Sequence, residues 1–129
     1  MFENFDALLY IKNSLYPNFN DDENTDFLKD ISGLKASAGA VIVSKNRSAI
    51  FVDGRYELAA KISVDQKKFS IESLSFKNLI AWVKTNLKQE SKIAFDPRFF
   101  SHYRLEKVQK ELFDYSFVEV NLDSIFGSK

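Results

Sequence analysis

Few side chains in this sequence can carry out acid–base, nucleophilic or metal chemistry. The chain has one histidine, His102, and no cysteine. Thiolate nucleophiles, disulfides, zinc–thiolate sites and any mechanism that needs two imidazoles are therefore excluded within this sequence. His102 lies in the first turn of a predicted helix, and no residues with metal-ligand spacing accompany it. We interpret it as an exposed helix residue, and we assign no catalytic residue and no metal ligand to this chain.

A segment of small residues, 32–39 (Ser-Gly-Leu-Lys-Ala-Ser-Ala-Gly), has a composition like that of a phosphate-binding loop. It lacks the Gly-Lys-Ser/Thr ending of a P-loop and the glycine spacing of a dinucleotide fingerprint, and it precedes a predicted strand rather than a helix. We therefore predict a structural role for it, in which Ser32, Gly33, Ser37 and Gly39 allow two layers of the fold to approach closely.

A second polar segment, residues 53–56 (Asp-Gly-Arg-Tyr), follows an apolar run. We expect Asp53 to cap a turn in which Gly54 supplies a permissive backbone. Arg55 carries a planar guanidinium, which suits a carboxylate and would project from the edge of a sheet. Both a structural role and a carboxylate-binding role for Arg55 stay open on the residues alone.

The composition predicts one ordinary globular domain, residues 1–129. Lys plus Arg and Asp plus Glu each number 18, so the formal net charge is zero, which argues against a nucleic-acid or anionic-membrane partner. Hydrophobic residues make up 45% of the chain and include 13 Phe, enough to form a core. No apolar run is long enough to span a membrane, and the acidic start is unlike a signal peptide. We therefore expect a cytoplasmic protein.

The apolar patterns predict an α/β fold, a mixed β-sheet flanked by helices. The predicted elements are strands at 40–43, 49–52 and 69–71, a helix after Ser75, a strand at 93–95, a helix after Ser101 and a strand at 117–120. The first two strands form a hairpin with a five-residue loop, and two right-handed crossovers would make the last three parallel. Residues 7–11 fit a helix or a strand, and the acidic residues 18–26 are predicted as a surface loop. We find no internal repeat.

Four segments together suggest a family. They are residues 31–43 (Ile-Ser-Gly-Leu-Lys-Ala-Ser-Ala-Gly-Ala-Val-Ile-Val), 52–60 (Val-Asp-Gly-Arg-Tyr-Glu-Leu-Ala-Ala), 93–97 (Ile-Ala-Phe-Asp-Pro) and 120–126 (Val-Asn-Leu-Asp-Ser-Ile-Phe). In this order they resemble the Ser-Gly-Phe-x-Gly-Ser-Ala-Gly-Thr, Thr-Asp-Gly-Arg-Tyr-x-x-Gln-Ala, Val-Gly-Val-Asp-Pro and Asn-Leu-Val-Asp-x-Ile-Trp segments of the N-terminal domain of Xaa-Pro aminopeptidases. That domain belongs to the creatinase/prolidase N-terminal family.

The resemblance implies a creatinase N-terminal domain-like fold with a ribonuclease-H-like motif. It also implies that Arg55 is the residue to test as a contact to the peptide substrate. The remaining motif residues are implied to be structural: Ser32, Gly33, Ser37, Gly39, Asp53, Gly54, Tyr56, Asp96 and Pro97.

The implied function is that of the non-catalytic N-terminal domain of a cytoplasmic Xaa-Pro aminopeptidase, walling the substrate entrance and aiding subunit assembly. In the family, a C-terminal metallopeptidase (pita-bread) domain holds two divalent metals, usually manganese, and removes the N-terminal residue that precedes proline. That domain is absent from this chain, so no cofactor is expected here. The implied partners are the chain's own catalytic domain, a second copy in a homodimer and peptides with proline second, with no nucleic acid and no membrane.

The sequence departs from the family at the His-x-Ser-Glu-Tyr segment, where residues 13–16 (Asn-Ser-Leu-Tyr) lack the His and the Glu. Ala36 and Ala59 stand where the family has Gly and Gln, which implies a different or reduced substrate entrance. Two alternatives stay open: a peptide- or protein-binding module of a non-peptidase creatinase-fold protein, and the domain of a prolidase or creatinase. The closing motif at 120–126 favours the three-domain aminopeptidase.

Overall fold

The computed structural model describes residues 4–12, 27–36 and 38–126. Six strands form one sheet: β1 Ala7–Lys12, β2 Gly39–Ser44, β3 Ser48–Val52, β4 Phe69–Ser73, β5 Lys92–Phe95 and β6 Ser116–Glu119. Their order across the sheet is β4-β3-β2-β1-β5-β6. Residues 13–16, where the sequence departs from the family, lie outside the described residues. So do residues 18–26, predicted as a surface loop, and Ser37.

In the described residues, five helices cover the sheet: α1 Phe27–Ser32, α2 Glu57–Ser63, α3 Phe76–Asn86, α4 His102–Glu111 and α5 Leu122–Ile125. The two amphipathic helices begin where their capping residues predict. The Ser75 hydroxyl accepts a hydrogen bond from the Asn78 N–H at 2.9 Å, and that of Ser101 accepts from the Arg104 N–H at 3.1 Å, which satisfies one exposed donor at each helix start. In the ranges the structure describes, no helix is long and apolar enough to cross a membrane.

Only β2 runs against the other strands. β1 and β3 both pair with it antiparallel, and β4, β5 and β6 all run parallel to their neighbours. The predicted parallel direction of the last three strands is therefore confirmed, but three strands separate β4 from β5, because the chain crosses the whole sheet through α3. The predicted mixed sheet is also confirmed, and β3-β2-β1-β5-β6 forms the ribonuclease-H-like motif.

The structure decides one assignment that the sequence left open and corrects one prediction. Residues 7–11 belong to a strand, β1, which pairs with β2 from Ala7 opposite Ser44 to Lys12 opposite Gly39. The hairpin loop between β2 and β3 has three residues, 45–47, rather than five, because the serines on either side continue the strands. The Ser44 N–H donates to the Arg47 carbonyl at 2.9 Å and closes this loop.

Both faces of the sheet are buried, because side chains alternate along each strand. In β1, Leu8 and Tyr10 point into the core beneath α1, α2 and α5, while Ala7 and Leu9 point into the core beneath α3 and α4. All four are at most 1% exposed. The domain is therefore three layers thick, and the described helices cover both faces of the sheet.

Candidate functional site

The small-residue segment joins α1 to β2 and brings backbone layers together. Gly33 follows α1 with φ of +90°, and a Cβ there would lie 3.0 Å from the Ser63 carbonyl oxygen at the end of α2. The buried Ser32 hydroxyl donates to the Leu28 carbonyl at 2.6 Å. A Cβ on Gly39 would lie 3.2 Å from the Leu28 side chain. Ser32, Gly33 and Gly39 therefore lie where elements of the fold approach each other closely.

Two strand ends carry the same four-residue arrangement. Residues 53–56 (Asp-Gly-Arg-Tyr) follow β3, and residues 96–99 (Asp-Pro-Arg-Phe) follow β5. Each begins the crossover of a parallel βαβ unit, β3-α2-β4 in the first case and β5-α4-β6 in the second. We call these two occurrences of the pattern Asp-x-Arg-aromatic the first and the second copy of the arrangement. The likeness covers four positions and is not an internal repeat of the sequence.

In the first copy, Asp53 caps the 3₁₀ turn Gly54–Tyr56 by accepting the Arg55 N–H at 2.9 Å. The Arg55 side chain folds back so that its Nη2 lies 2.9 Å and its Nε 3.3 Å from the Asp53 carboxylate oxygens. Its Cζ also lies 5.2 Å from the centre of the Tyr56 ring. The hydrogen bonds from Arg55 lower the pKa of Asp53, and the same pair raises the pKa of Arg55.

The second residue of each copy differs. Pro97 stands at the first position of its 3₁₀ turn, where the missing N–H is not needed and the fixed φ suits the turn. Gly54 has no left-handed backbone, and a Cβ there would meet nothing within 4 Å. The expectation that Gly54 supplies a permissive backbone is therefore wrong, because a 3₁₀ turn uses ordinary right-handed dihedral angles.

In the second copy, Asp96 is only 2% exposed. It accepts the Arg98 N–H at 3.0 Å and the Nη2 of the same arginine at 2.7 Å. It also accepts the Leu122 N–H, from the start of α5, at 2.9 Å. Burial by itself would raise the pKa of Asp96, but the hydrogen bonds from Arg98 and Leu122 outweigh it and hold the pKa below its ordinary value.

The outer edge of the Arg98 guanidinium is also occupied. Its Nη1 donates to the Asp123 carboxylate at 3.1 Å, and its Nη2 donates to the Asn121 side-chain oxygen at 3.2 Å. Both acceptors lie at the start of α5. Two of the four segments that carry the family resemblance, 93–97 and 120–126, are thus joined through one arginine that the sequence interpretation did not single out.

Arg55 differs from its counterpart because its side chain is 70% exposed. It lines a groove of about 490 Å³ at the end of the sheet where β1 and β3 finish and α3 and α4 begin. Lys12 and Arg104 line the same groove, together with Asp53. Its apolar lining residues are Ile11, Ala38, Ala40, Leu74, Phe76 and Leu79.

A second groove, of about 510 Å³, lies at the opposite end of the sheet beside the hairpin loop 45–47. Lys67 and Lys68 line it, and no hydrogen bond or ion pair within the described ranges fixes either ammonium group in place. Arg47 there donates to the Asn86 side chain at 3.2 Å. We take the first groove as the candidate site because its arginine is held in a defined orientation while remaining accessible.

His102 is 88% exposed, and its Nε2 lies 3.1 Å from a Glu106 carboxylate oxygen one turn along α4. The interpretation of His102 as an exposed helix residue is confirmed. In the part of the chain that the structure describes, no group of three or more His, Asp or Glu side chains is placed to hold a metal ion. The two divalent metals implied by the resemblance therefore have no ligand set among these residues.

The sequence matches a known family of domains. The family model of the creatinase/prolidase N-terminal domain matches residues 21–123. Xaa-Pro aminopeptidase 2 of Rattus norvegicus is 31% identical over 84 residues, which are 65% of this chain and 12% of the rat protein. The chain therefore spans a small part of the length of this relative.

Two solved structures share the fold. The X-prolyl aminopeptidase of Caenorhabditis elegans, described as a cytosolic enzyme with a di-nuclear active site, aligns with a TM-score of 0.78 and 22% identity over 95% of this chain and 21% of that one. Aminopeptidase P of Streptococcus thermophilus aligns with a TM-score of 0.68 and 22% identity over 92% of this chain and 80% of that one. The resemblance predicted from four segments is confirmed, and the chain belongs to the creatinase/prolidase N-terminal domain family.

Proposed function

We propose that residues 1–129 form one domain that acts as the non-catalytic N-terminal domain of a cytoplasmic Xaa-Pro aminopeptidase. The similarity to the rat Xaa-Pro aminopeptidase 2 supports this class of enzyme, and the likeness to a structure described as cytosolic supports the compartment. The chemistry would come from a C-terminal catalytic domain with two divalent metals, manganese in our proposal, which activate water and polarise a carbonyl.

The observation that carries the proposal is that the Arg55 side chain is both fixed in orientation and exposed. Asp53 and Tyr56 hold its guanidinium in one orientation, while 70% of the side chain stays exposed in the groove. An arginine that is already ordered loses little side-chain entropy when it binds a ligand. A peptide with proline in second position lacks one backbone N–H and presents carbonyl acceptors, which an arginine, a donor only, can bind.

The domain would also contact its catalytic domain. Leu58 and Ile62 lie one turn apart on α2 and are 70% and 76% exposed. Glu57 and Lys61 flank them with an ion pair of 3.4 Å. We propose that this α2 strip, formed by Leu58 and Ile62, contacts the catalytic domain of the whole protein. We also propose that the whole protein assembles as a homodimer.

The test is a titration of the 129-residue chain, with and without manganese, using Ala-Pro-Ala and Ala-Ala-Ala. We expect no hydrolysis of either peptide, and binding of Ala-Pro-Ala that weakens in Arg55→Gln. Arg47→Gln is the matched control, because it removes the same charge from an arginine at the opposite end of the sheet. Hydrolysis of Ala-Pro-Ala by the pure chain would overturn the non-catalytic assignment.

The same titration separates the alternatives. Equal binding of the two tripeptides would favour a peptide-binding module of a non-peptidase protein. Tighter binding of the dipeptide Ala-Pro than of Ala-Pro-Ala would favour the domain of a prolidase. No binding of either tripeptide would remove Arg55 as a substrate contact.

A further inference from the structure

We infer that the groove binds a peptide carboxylate through Arg55 and Arg104. This inference names the ligand chemistry of the proposed site and rests on Arg55 being a ligand contact there. Its support, however, is independent of the family resemblance, because the chain itself shows what the corresponding arginine, Arg98, binds in the second copy of the arrangement.

The second copy serves as an internal template. Arg98 uses one edge of its guanidinium for Asp96 and the other for acceptors that arrive from elsewhere in the chain. Those acceptors are the Asp123 carboxylate, 3.1 Å from Nη1, and the Asn121 amide oxygen, 3.2 Å from Nη2. An arginine oriented by an aspartate two residues earlier therefore presents an outer edge that suits a carboxylate.

The first copy reproduces the inner half of this arrangement. The Nη2–Oδ2 distance is 2.9 Å between Arg55 and Asp53, against 2.7 Å between Arg98 and Asp96. The distance from Cζ to the following aromatic ring is 5.2 Å in one copy and 5.1 Å in the other. No residue that the structure describes accepts a hydrogen bond from Nη1 of Arg55. The outer edge of Arg55 is therefore ordered as in the template and open to a ligand.

Arg104 supplies a second, independent observation. It lies in the first turn of α4, is half-buried and lines the groove. No ion pair or hydrogen bond of its guanidinium is found within residues 4–12, 27–36 and 38–126. A half-buried cation without a partner is unfavourable, and Asp53, the one carboxylate lining the groove among the described residues, already binds Arg55. A carboxylate ligand would relieve this imbalance of charge.

The floor of the groove distinguishes a peptide from a small anion. Ile11, Leu74 and Phe76 are partly exposed and line the groove beside the two arginines. An inorganic anion would leave these apolar side chains in water, whereas a peptide with an apolar residue next to its carboxylate would cover them. The groove therefore favours a carboxylate that belongs to a peptide, from either its C-terminus or an acidic side chain.

The experiment compares Ala-Pro-Leu, its C-terminal amide, Ala-Pro-Asp-Leu amide, Ala-Ala-Leu and inorganic phosphate by isothermal titration of the 129-residue chain. The variants are Arg55→Gln and Arg104→Gln, with Arg47→Gln as the matched control. We expect Ala-Pro-Leu to bind about tenfold more tightly than its amide. Each groove variant should reduce that ratio to about two, and the control should leave it unchanged. A thermal melt of each variant checks that it is folded.

The outcomes separate the inference from the proposed function. Equal binding of Ala-Pro-Leu and its amide to the unchanged chain overturns the inference. If both peptides then lose their binding in Arg55→Gln, Arg55 is still a peptide contact, as the proposed function requires. If Ala-Ala-Leu binds as tightly as Ala-Pro-Leu, and both lose affinity in the two groove variants, the result supports the inference and counts against the Xaa-Pro function. Tight binding of the aspartyl amide assigns the carboxylate to a side chain. Phosphate binding as tight as peptide binding, or no binding at all, overturns it.

Discussion

Arg98 binds Asp96, two residues before it, with 2.7 Å between Nη2 and Oδ2, and the same guanidinium reaches Asp123 in the last helix of the described chain. Arg55 and Asp53 repeat the spacing and the ion pair at the end of β3, but none of the helices in the described residues contributes a hydrogen bond to this pair as α5 does to the other. The same local arrangement thus binds α5 at the end of β5 and faces a groove at the end of β3.

Replacing Asp96 by Asn should lower the free energy of unfolding by about 2 kcal/mol at pH 7. The loss is below that expected for a fully buried pair, because Arg98 is 31% exposed and water can solvate it once the carboxylate is gone. Urea unfolding measures the difference. Asp123→Asn is the matched control and should cost less than about 1 kcal/mol, because Asp123 is 53% exposed. Equal losses in the two variants would contradict this account of Asp96.

The acid sensitivity of the domain should depend on Asp96. Its pKa is lower in the folded chain than in the unfolded chain, so its stabilising effect is complete above the unfolded pKa of about 4 and is lost as the pH falls towards the folded value. Unfolding free energies in urea between pH 6 and pH 2 should therefore fall less steeply for Asp96→Asn than for the unchanged chain. If the free energy of unfolding falls equally steeply with pH in both proteins, another carboxylate is responsible for the loss of stability in acid.

Gly33→Ala should cost about 1–3 kcal/mol, because the residue would be held at φ of +90° with its Cβ 3.0 Å from the Ser63 carbonyl oxygen. Gly54→Ala is the control, since its position has an ordinary backbone and open space. We expect it to leave the denaturation midpoint unchanged. A comparable loss in both variants would mean that the close approach between α1 and α2 is not what Gly33 provides.

The α2 strip should not contribute to the stability of the chain. Leu58→Ser and Ile62→Ser should each change the free energy of unfolding by less than about 0.5 kcal/mol, because both side chains are already in water. The comparison is Leu79→Ala, a residue 4% exposed in the core beneath α3, which should cost about 2–5 kcal/mol. Large losses from the α2 substitutions in urea unfolding would show that the strip belongs to the core of the domain.

Much of the candidate site could be predicted from local sequence. Asp53 was expected to cap a turn at the end of a strand, and it does. Arg104 was missed because an arginine in the first turn of an amphipathic helix has no distinguishing sequence signal; it joins the groove only because α4 packs beside α3 on one face of the sheet. Arg98 does have a sequence signal: it stands two residues after an aspartate at a strand end, as Arg55 does.

Local sequence was enough to predict five of the six described strands, the two amphipathic helices with their capping serines, and the family. These depend on side chains a few residues apart: a serine and the N–H three residues on, or an apolar residue every third or fourth position. Tertiary structure alone decided which copy of the Asp-x-Arg-aromatic arrangement is buried. Asp96 becomes a covered carboxylate with a lowered pKa because Leu122, 26 positions later in the chain, donates its N–H to it. Asp53 and Arg55 face the groove instead. Burial and charge pairing are set by such distant segments, which no local pattern records.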